Sequence, residues 1–394
     1  MAQPLLLPLV GIVLLTVASC QTIDSALQDL TNRNADFAAR LYRAVSSRTD
    51  DNVFLCPFTL SAGLSALLAV TSGRSQEQLL QGLSLTGLEP QAVPDLFQNL
   101  RNAVLQGGVA TSLRQGAALF SPQGSEVSSS YLDQVRTKFG GSVQNVDFAT
   151  PQDAVDAVNR WARENAGDQV QDLVSTLDPQ TKLLLATATA YQVRFSPAFN
   201  ASFTQDERFY VDKYHVTMVP MMFRADKYFL AYDRSLKVGV LKLPMTDGAA
   251  MLVVFPDEGV DVTAVEEDVT GEKIRAWIRQ LKKTKLEVQL PRFLLDRSYS
   301  LRDVLETLSI TQVFQDDAEV VNIEGGATGL KLSQVFHKSY MSVDESSDDT
   351  GTGASAFSSL PPRLTINRPF LFVVYHQTSS GVLFMGRVND PSKK

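Results

Sequence analysis

Cysteine and histidine are nearly absent from this chain. Its 394 residues include two cysteines, Cys20 and Cys56, and three histidines, His215, His337 and His376, all far apart in sequence. HExxH, paired CxxC, GxSxG and glycine-rich phosphate-loop motifs are also missing. Common hydrolase, metal and nucleotide sites therefore lack support, and only a Ser-His-Asp site built from distant residues is left open by spacing. The acidic run Asp344-Glu345…Asp348-Asp349 does not make a calcium loop either. An EF-hand starting at Asp344 needs Gly at position 349 and Glu at 355, where this chain has Asp349 and Ser355. No enzyme activity, cofactor or metal is expected.

A basic surplus is lacking too. The formal net charge is −7, which argues against a nucleic-acid partner, because such affinity comes mainly from cationic phosphate contacts. Long hydrophobic runs occur once, from Leu5 to Ala18, and that run is too short and lacks the basic flanks of a membrane span. Ending in small residues, Met1–Cys20 reads as a secretory signal peptide, although Val17-Ala18-Ser19-Cys20 also has the form of a lipoprotein cleavage box. Cleavage after Cys20 would leave residues 21–394 as one secreted domain with a single thiol and no disulfide. Cys56 lies in an apolar run and reads as an inert buried thiol. Asn200-Ala201-Ser202 is a glycosylation acceptor sequence in a secreted chain.

What is present is ordinary globular material, with 44% hydrophobic residues and no internal repeat or long linker. Phe37, Leu41, Tyr42 and Val45 recur at helical spacing behind Asn32 or Asn34, either of which is a candidate cap. Further helices are expected from Leu60 to Val70, from a cap at Ser75 through Leu83, and from Pro151 to Ala166. Strand patterns dominate later: Gly239–Leu243, Ala250–Phe255, Leu286–Leu290, Leu364–Tyr375 and Val382–Val388. The last two flank Thr378-Ser379-Ser380-Gly381, a hairpin turn. Helices first and strands later, without regular βαβ alternation, predict an α+β fold. One basic cluster stands out: Lys273, Arg275, Arg279, Lys282, Lys283 and Lys285, with no acid inside it. It reads either as a solvated helix face running into a strand or as a site for a sulfated polysaccharide.

Three motifs are more specific. Thr365-Ile366-Asn367-Arg368-Pro369-Phe370-Leu371-Phe372 with Phe384-Met385-Gly386-Arg387-Val388 resembles the C-terminal signature of the serpins. Asn52-Val53-Phe54-Leu55-Cys56-Pro57 resembles their early helix entry, and Val219-Pro220-Met221-Met222 their mid-chain strand. The resemblance runs from about Asp36 to Pro391. It implies three β-sheets, eight or nine helices, a monomer and an exposed reactive loop near the C-terminus, at about 343–362. It further implies that an extracellular serine protease of chymotrypsin fold cleaves that loop. The loop's front half then enters the largest sheet as a new strand and carries the trapped protease with it.

On this resemblance Ser359-Leu360-Pro361-Pro362 anchors the scissile bond at Ser358–Ser359, while Phe357–Ser358 would better suit a chymotrypsin-like pocket. The hinge departs from the inhibitory pattern. After Glu345 come Ser346, Ser347, Asp348, Asp349 and Thr350, and Asp348 takes the inward position that threonine usually holds. Burying that carboxylate unpaired costs several kcal/mol. Ser346 to Ser358 is 13 residues, about three fewer than expected, which at roughly 3.3 Å per residue removes about 10 Å of reach. Along the insertion path Cys56 and Thr59 replace two serines, Thr187 replaces an asparagine that would bond His337, and Phe195 stands where the family has tryptophan. Two functions remain: a suicide-substrate protease inhibitor, or a non-inhibitory serpin acting as carrier or binding protein.

Overall fold

In the computed structural model the described residues are 9–105, 108–320, 330–345 and 361–394, with side chains from residue 25 onward. They form ten α-helices among the described residues. These are α1 (Leu9–Ser46), α2 (Pro57–Leu68), α3 (Gly73–Gly82), α4 (Val93–Leu105), α5 (Val109–Ser112), α6 (Ser129–Gln134), α7 (Pro151–Ala166), α8 (Val262–Asp268), α9 (Gly271–Gln280) and α10 (Arg302–Thr307). One of them, α5, is a single turn, so the inventory agrees with the eight or nine expected.

The early strands are β1 (Val53–Leu55), β2 (Leu113–Pro122), β3 (Ser142–Val146), β4 (Leu183–Gln192) and β5 (Gln205–Tyr210). There follow β6 (Val216–Asp233), β7 (Val238–Pro244), β8 (Ala249–Pro256), β9 (Lys282–Pro291) and β10 (Phe293–Ser300). The chain closes with β11 (Leu332–Val343), β12 (Arg363–Thr365), β13 (Phe370–His376) and β14 (Val382–Val388). One sheet has five strands in the order β10-β11-β4-β2-β3. The other nine strands hydrogen-bond continuously, but 18-residue β6 belongs to two layers: its first part pairs β5, its middle pairs β9 and its end pairs β7. The three expected sheets are thus present, two of them joined through β6.

Helix α2 explains how the sheets are held together. All twelve of its residues are buried, Pro57 supplies the first-turn residue that needs no N–H partner, and its apolar surface runs right round. It packs against β2, β4, β14 and α1, so the five-stranded sheet and the composite sheet share it as a common core element. A second core lies on the other face of the five-stranded sheet, where Trp161 of α7 meets Phe120 edge-on with ring centres 5.6 Å apart.

Several local expectations need correction. Asn32 and Asn34 cap nothing, because α1 runs through both. The second helix begins at Pro57 rather than Leu60. Ser72, not Ser75, occupies the N-terminal position of α3, and Ser75 is buried with its N–H donated to Glu319 Oε2 at 3.2 Å. The apolar stretch Leu364–Tyr375 is two strands, β12 and β13, since Pro369 has no N–H for a ladder. The hairpin turn is where it was expected, with Ser380 in the left-handed region at φ 58° and His376 N–H bonded to Gly381 O.

The two ends of the domain are clasped together. Asn52 donates to the carbonyls of Asp390 and Lys393 and accepts from the N–H groups of Asn389 and Asp390. Beside it Arg387, 1% exposed, forms a buried ion pair with Glu266 at 2.7 Å and donates to the carbonyls of Thr49 and Asp51. The Tyr42 hydroxyl donates to the other Glu266 oxygen. Burial raises the Glu266 carboxyl above its usual range, against the lowering effect of Tyr42 and Arg387.

Candidate functional site

Strand alternation builds the site. Along β11 the residues Val335, His337, Ser339, Met341 and Val343 point inward and are fully buried, while those between them face the other side. β11 lies beside β4 in parallel, in continuous register from Gln334↔Leu184 to Ser342↔Gln192, whereas β10 and β2 flank this pair antiparallel. A strand turning back from the end of β11 would enter antiparallel to both β11 and β4. It would replace one slanted parallel ladder with two of the more stable antiparallel kind.

His337 sits at the middle of this seam. Its Nε2 accepts from the Cys56 N–H at 3.0 Å and lies 2.8 Å from Ser339 Oγ, so Nδ1 carries the proton and donates to Thr187 Oγ1 at 2.7 Å. Tyr299 stacks on the ring. Burial pushes the imidazole down to about 3, so it is neutral at physiological pH. Thr187 therefore reaches His337 despite being shorter than the expected asparagine, and it does so as an acceptor. Cys56 and Thr59 lie just below, with Sγ and Oγ1 3.1 Å apart, and Thr59 donates to Gln115 of β2. Burial raises the Cys56 thiol to about 11, which makes it a poor nucleophile. Phe195 lies beyond the end of β4, buried and edge-on to Phe199 at 5.5 Å.

At the C-terminal end of β11 Glu345, the residue expected to begin the hinge, is held fast. Arg292 grips it with two hydrogen bonds, Nε to Oε2 at 2.9 Å and Nη2 to Oε1 at 2.8 Å, and the Thr204 hydroxyl also donates to Oε1. The glutamate side chain is 7% exposed. Burial alone would raise its carboxyl, but these bonds hold it below the usual range. Neither Arg292 nor Thr204 is signalled by any local motif. The described chain resumes at the edge of the composite sheet, where Pro362 O accepts from Glu287 N–H and Arg363 pairs with Glu287. The hinge residues Ser346, Ser347, Asp348, Asp349 and Thr350 and the bond residues Phe357, Ser358 and Ser359 lie outside the described residues. So do the side chains of Met1–Cys20.

The basic cluster is divided by the fold. Lys273 is turned toward Asp233 and Ser235, and Arg275 toward Asp36 and the Asn32 carbonyl. Arg279, Lys282, Lys283 and Lys285 remain exposed. Register adds two lysines that sequence proximity hides: Lys227 stands directly opposite Lys285, and Lys283, Phe229 and Lys242 form one row across β9, β6 and β7. Lys242 Nζ lies 5.3 Å from the Phe229 ring centre. Asn200 is exposed, its side chain accepting from Ser202 N–H.

Comparison with known proteins places this geometry in a class. The model of the serpin family, serine protease inhibitors, matches residues 32–391, and the chain belongs to that family. The protein Z-dependent protease inhibitors of mouse and human are each 29% identical, covering 93% of this chain and 83% of theirs. The crystal structure of the mouse inhibitor superposes with a TM-score of 0.86 over 94% of this chain and 98% of its own, at 29% identity. Human thyroxine-binding globulin in complex with thyroxine superposes at 0.84, with 25% identity over 93% of this chain and 100% of its own.

Proposed function

We propose that the protein is a secreted inhibitor of a chymotrypsin-fold serine protease, working as a suicide substrate through the loop between Glu345 and Pro362. The observation that carries this reading is the closed parallel seam of β11 and β4, which leads directly into that loop and can accept an antiparallel strand. Several relatives bear names as protease inhibitors, the bovine leukocyte elastase inhibitor among them, at 29% identity over 93% of this chain. Phe357, Ser358 and Ser359 are the bait, cleaved at Phe357–Ser358 or Ser358–Ser359.

A second reading, a non-inhibitory carrier, is favoured by Asp348 and the short loop, and by the likeness to a hormone-binding globulin. Incubation with chymotrypsin, elastase and trypsin separates the two. An SDS-stable complex, or a large rise in melting temperature after cleavage, is expected of the inhibitor; plain cleavage without either outcome defeats it. Met1–Cys20 serves as the secretion signal, and Asn200 carries a glycan on the exposed surface. Arg279, Lys282, Lys283 and Lys285, extended by Lys227 and Lys242, form the polysaccharide-binding face. Charge reversal of Lys282 and Lys283 should shorten retention on a heparin column; unchanged retention removes that partner.

A further inference from the structure

Lys242 differs from the other lysines of the basic face. It lies within β7, half-buried, with Phe229 beside it on β6 and the fully buried Leu252 beside it on β8. Its Nζ stands over the Phe229 ring, and among the described residues it has no side-chain hydrogen bond and no carboxylate within ion-pair distance. The acids that share this side of the sheet are already engaged. Asp233, further along β6, accepts from Trp277 and Ser235 and pairs with Lys273. Glu287, further along β9, pairs with Arg363. The remaining neighbours bring only like charge: Lys283 stands opposite the ring, and Lys285 opposite Lys227, on the same side by strand alternation. Burial holds the Lys242 ammonium below the usual lysine range. The ring's attraction for the cation works the other way, while the like charges work with burial. An ordinary lysine has only about one amine in a thousand neutral at about pH 7.4, and any lowering raises that share. Only the neutral amine has the lone pair that attacks a carbonyl.

We infer that Lys242 is a covalent capture site for planar anionic aldehydes, which the flanking lysines hold and Nζ binds as an imine. The Nζ lone pair forms a C–N bond to the aldehyde carbon. The carbonyl oxygen then leaves as water, taking the two protons of the amine. This step consumes no oxidant or reductant, and added water reverses it. Lys242 and Lys283 stand two strand spacings apart, about 9.6 Å at the backbone, so their long side chains can grip opposite ends of one small molecule. Lys283 and Lys227 supply the charge that holds its anionic group, and Phe229 gives a conjugated imine a face to stack on. The site requires neither loop insertion nor a polysaccharide.

The probe is pyridoxal 5′-phosphate, added in equimolar amount to the full-length native protein and fixed with borohydride. Its partner is 5′-deoxypyridoxal, which has the same aldehyde but no phosphate. Peptide mass spectrometry should find most of the label on Lys242, and the phosphorylated aldehyde should label it at least fivefold faster. Lys242→Arg, which keeps the charge, should cut incorporation at least fivefold. Lys227→Gln/Lys283→Gln should erase the advantage of the phosphate and leave deoxypyridoxal labelling of Lys242 in place. Label spread over Lys213, Lys237 and Lys282 in proportion to their exposure overturns the site, as does full incorporation in Lys242→Arg. Equal rates for the two aldehydes, or a phosphate advantage that survives the double variant, overturns the anionic preference. Mapping the label on the wild type decides the site even where a variant misfolds.

Discussion

His337 of β11 donates its Nδ1 proton to Thr187 of β4 across the parallel seam, at 2.7 Å. The same imidazole accepts from the Cys56 N–H, so it ties both strands to the first residue before α2. This works only while the ring is neutral, because a second proton would sit on Nε2 and face another donor.

Acid should therefore loosen the seam. The folded value near 3 lies below the unfolded one near 6.5, so the unfolded chain takes up the proton first. The stability is fully present above about pH 6.5, falls by about 2 kcal/mol by pH 4.5, and continues to fall toward pH 3. Urea unfolding across this range, compared with His337→Gln, should show a shallower slope for the variant between pH 6.5 and 4.5. Parallel curves would mean that other groups dominate.

Glu345→Gln should release the hinge. It leaves Arg292 without its carboxylate, but Arg292 is 43% exposed, so solvent screens the loss and about 1 kcal/mol is expected. The more sensitive readout is limited proteolysis between Glu345 and Pro362, which should accelerate. Arg292→Lys should give an intermediate rate, since an ammonium cannot reproduce the bidentate grip.

Asp348→Thr tests whether the acidic hinge limits inhibition. Removing a carboxylate that would be buried on insertion relieves a penalty of several kcal/mol. Fewer moles of the variant should be consumed per mole of protease trapped. An unchanged ratio would show that Asp348 faces outward when the loop enters.

Arg387→Met strands Glu266 beside Tyr42 in the core, and should cost about 3–5 kcal/mol. Adding Glu266→Gln should recover much of the loss, because the uncompensated charge is then gone. A double-mutant cycle by thermal unfolding measures the coupling.

Much of the composite sheet was legible in sequence. β7, β8 and β14 stand out as apolar runs between turn residues, and Thr378–Gly381 announces its hairpin. The five-stranded sheet was harder to read. Residues Leu183 to Tyr191 are buried on both faces, so Leu-Leu-Leu-Ala-Thr-Ala-Thr-Ala-Tyr shows no alternation to mark it as a strand. The helix signals at Asn32 and Asn34 misled because a cap residue is recognisable only where a helix starts, and α1 starts well before them. Site residues divide along the same line. Glu345 and His337 came from the family resemblance, whereas Arg292, 53 positions away from Glu345, is brought to it by the fold alone. Lys227 and Lys242 join the basic face only through strand register.

The Asn52 clasp bears on how the chain comes into being. Asn52 and its partner carbonyl at Asp390 are 338 positions apart, and among the described residues β1 has no strand neighbour except β14. During synthesis β1 must therefore wait until β14 has emerged before it can pair with it. Closure of the composite sheet is then a late event governed by long-range contacts, and the early apolar strand is an aggregation hazard until its partner arrives.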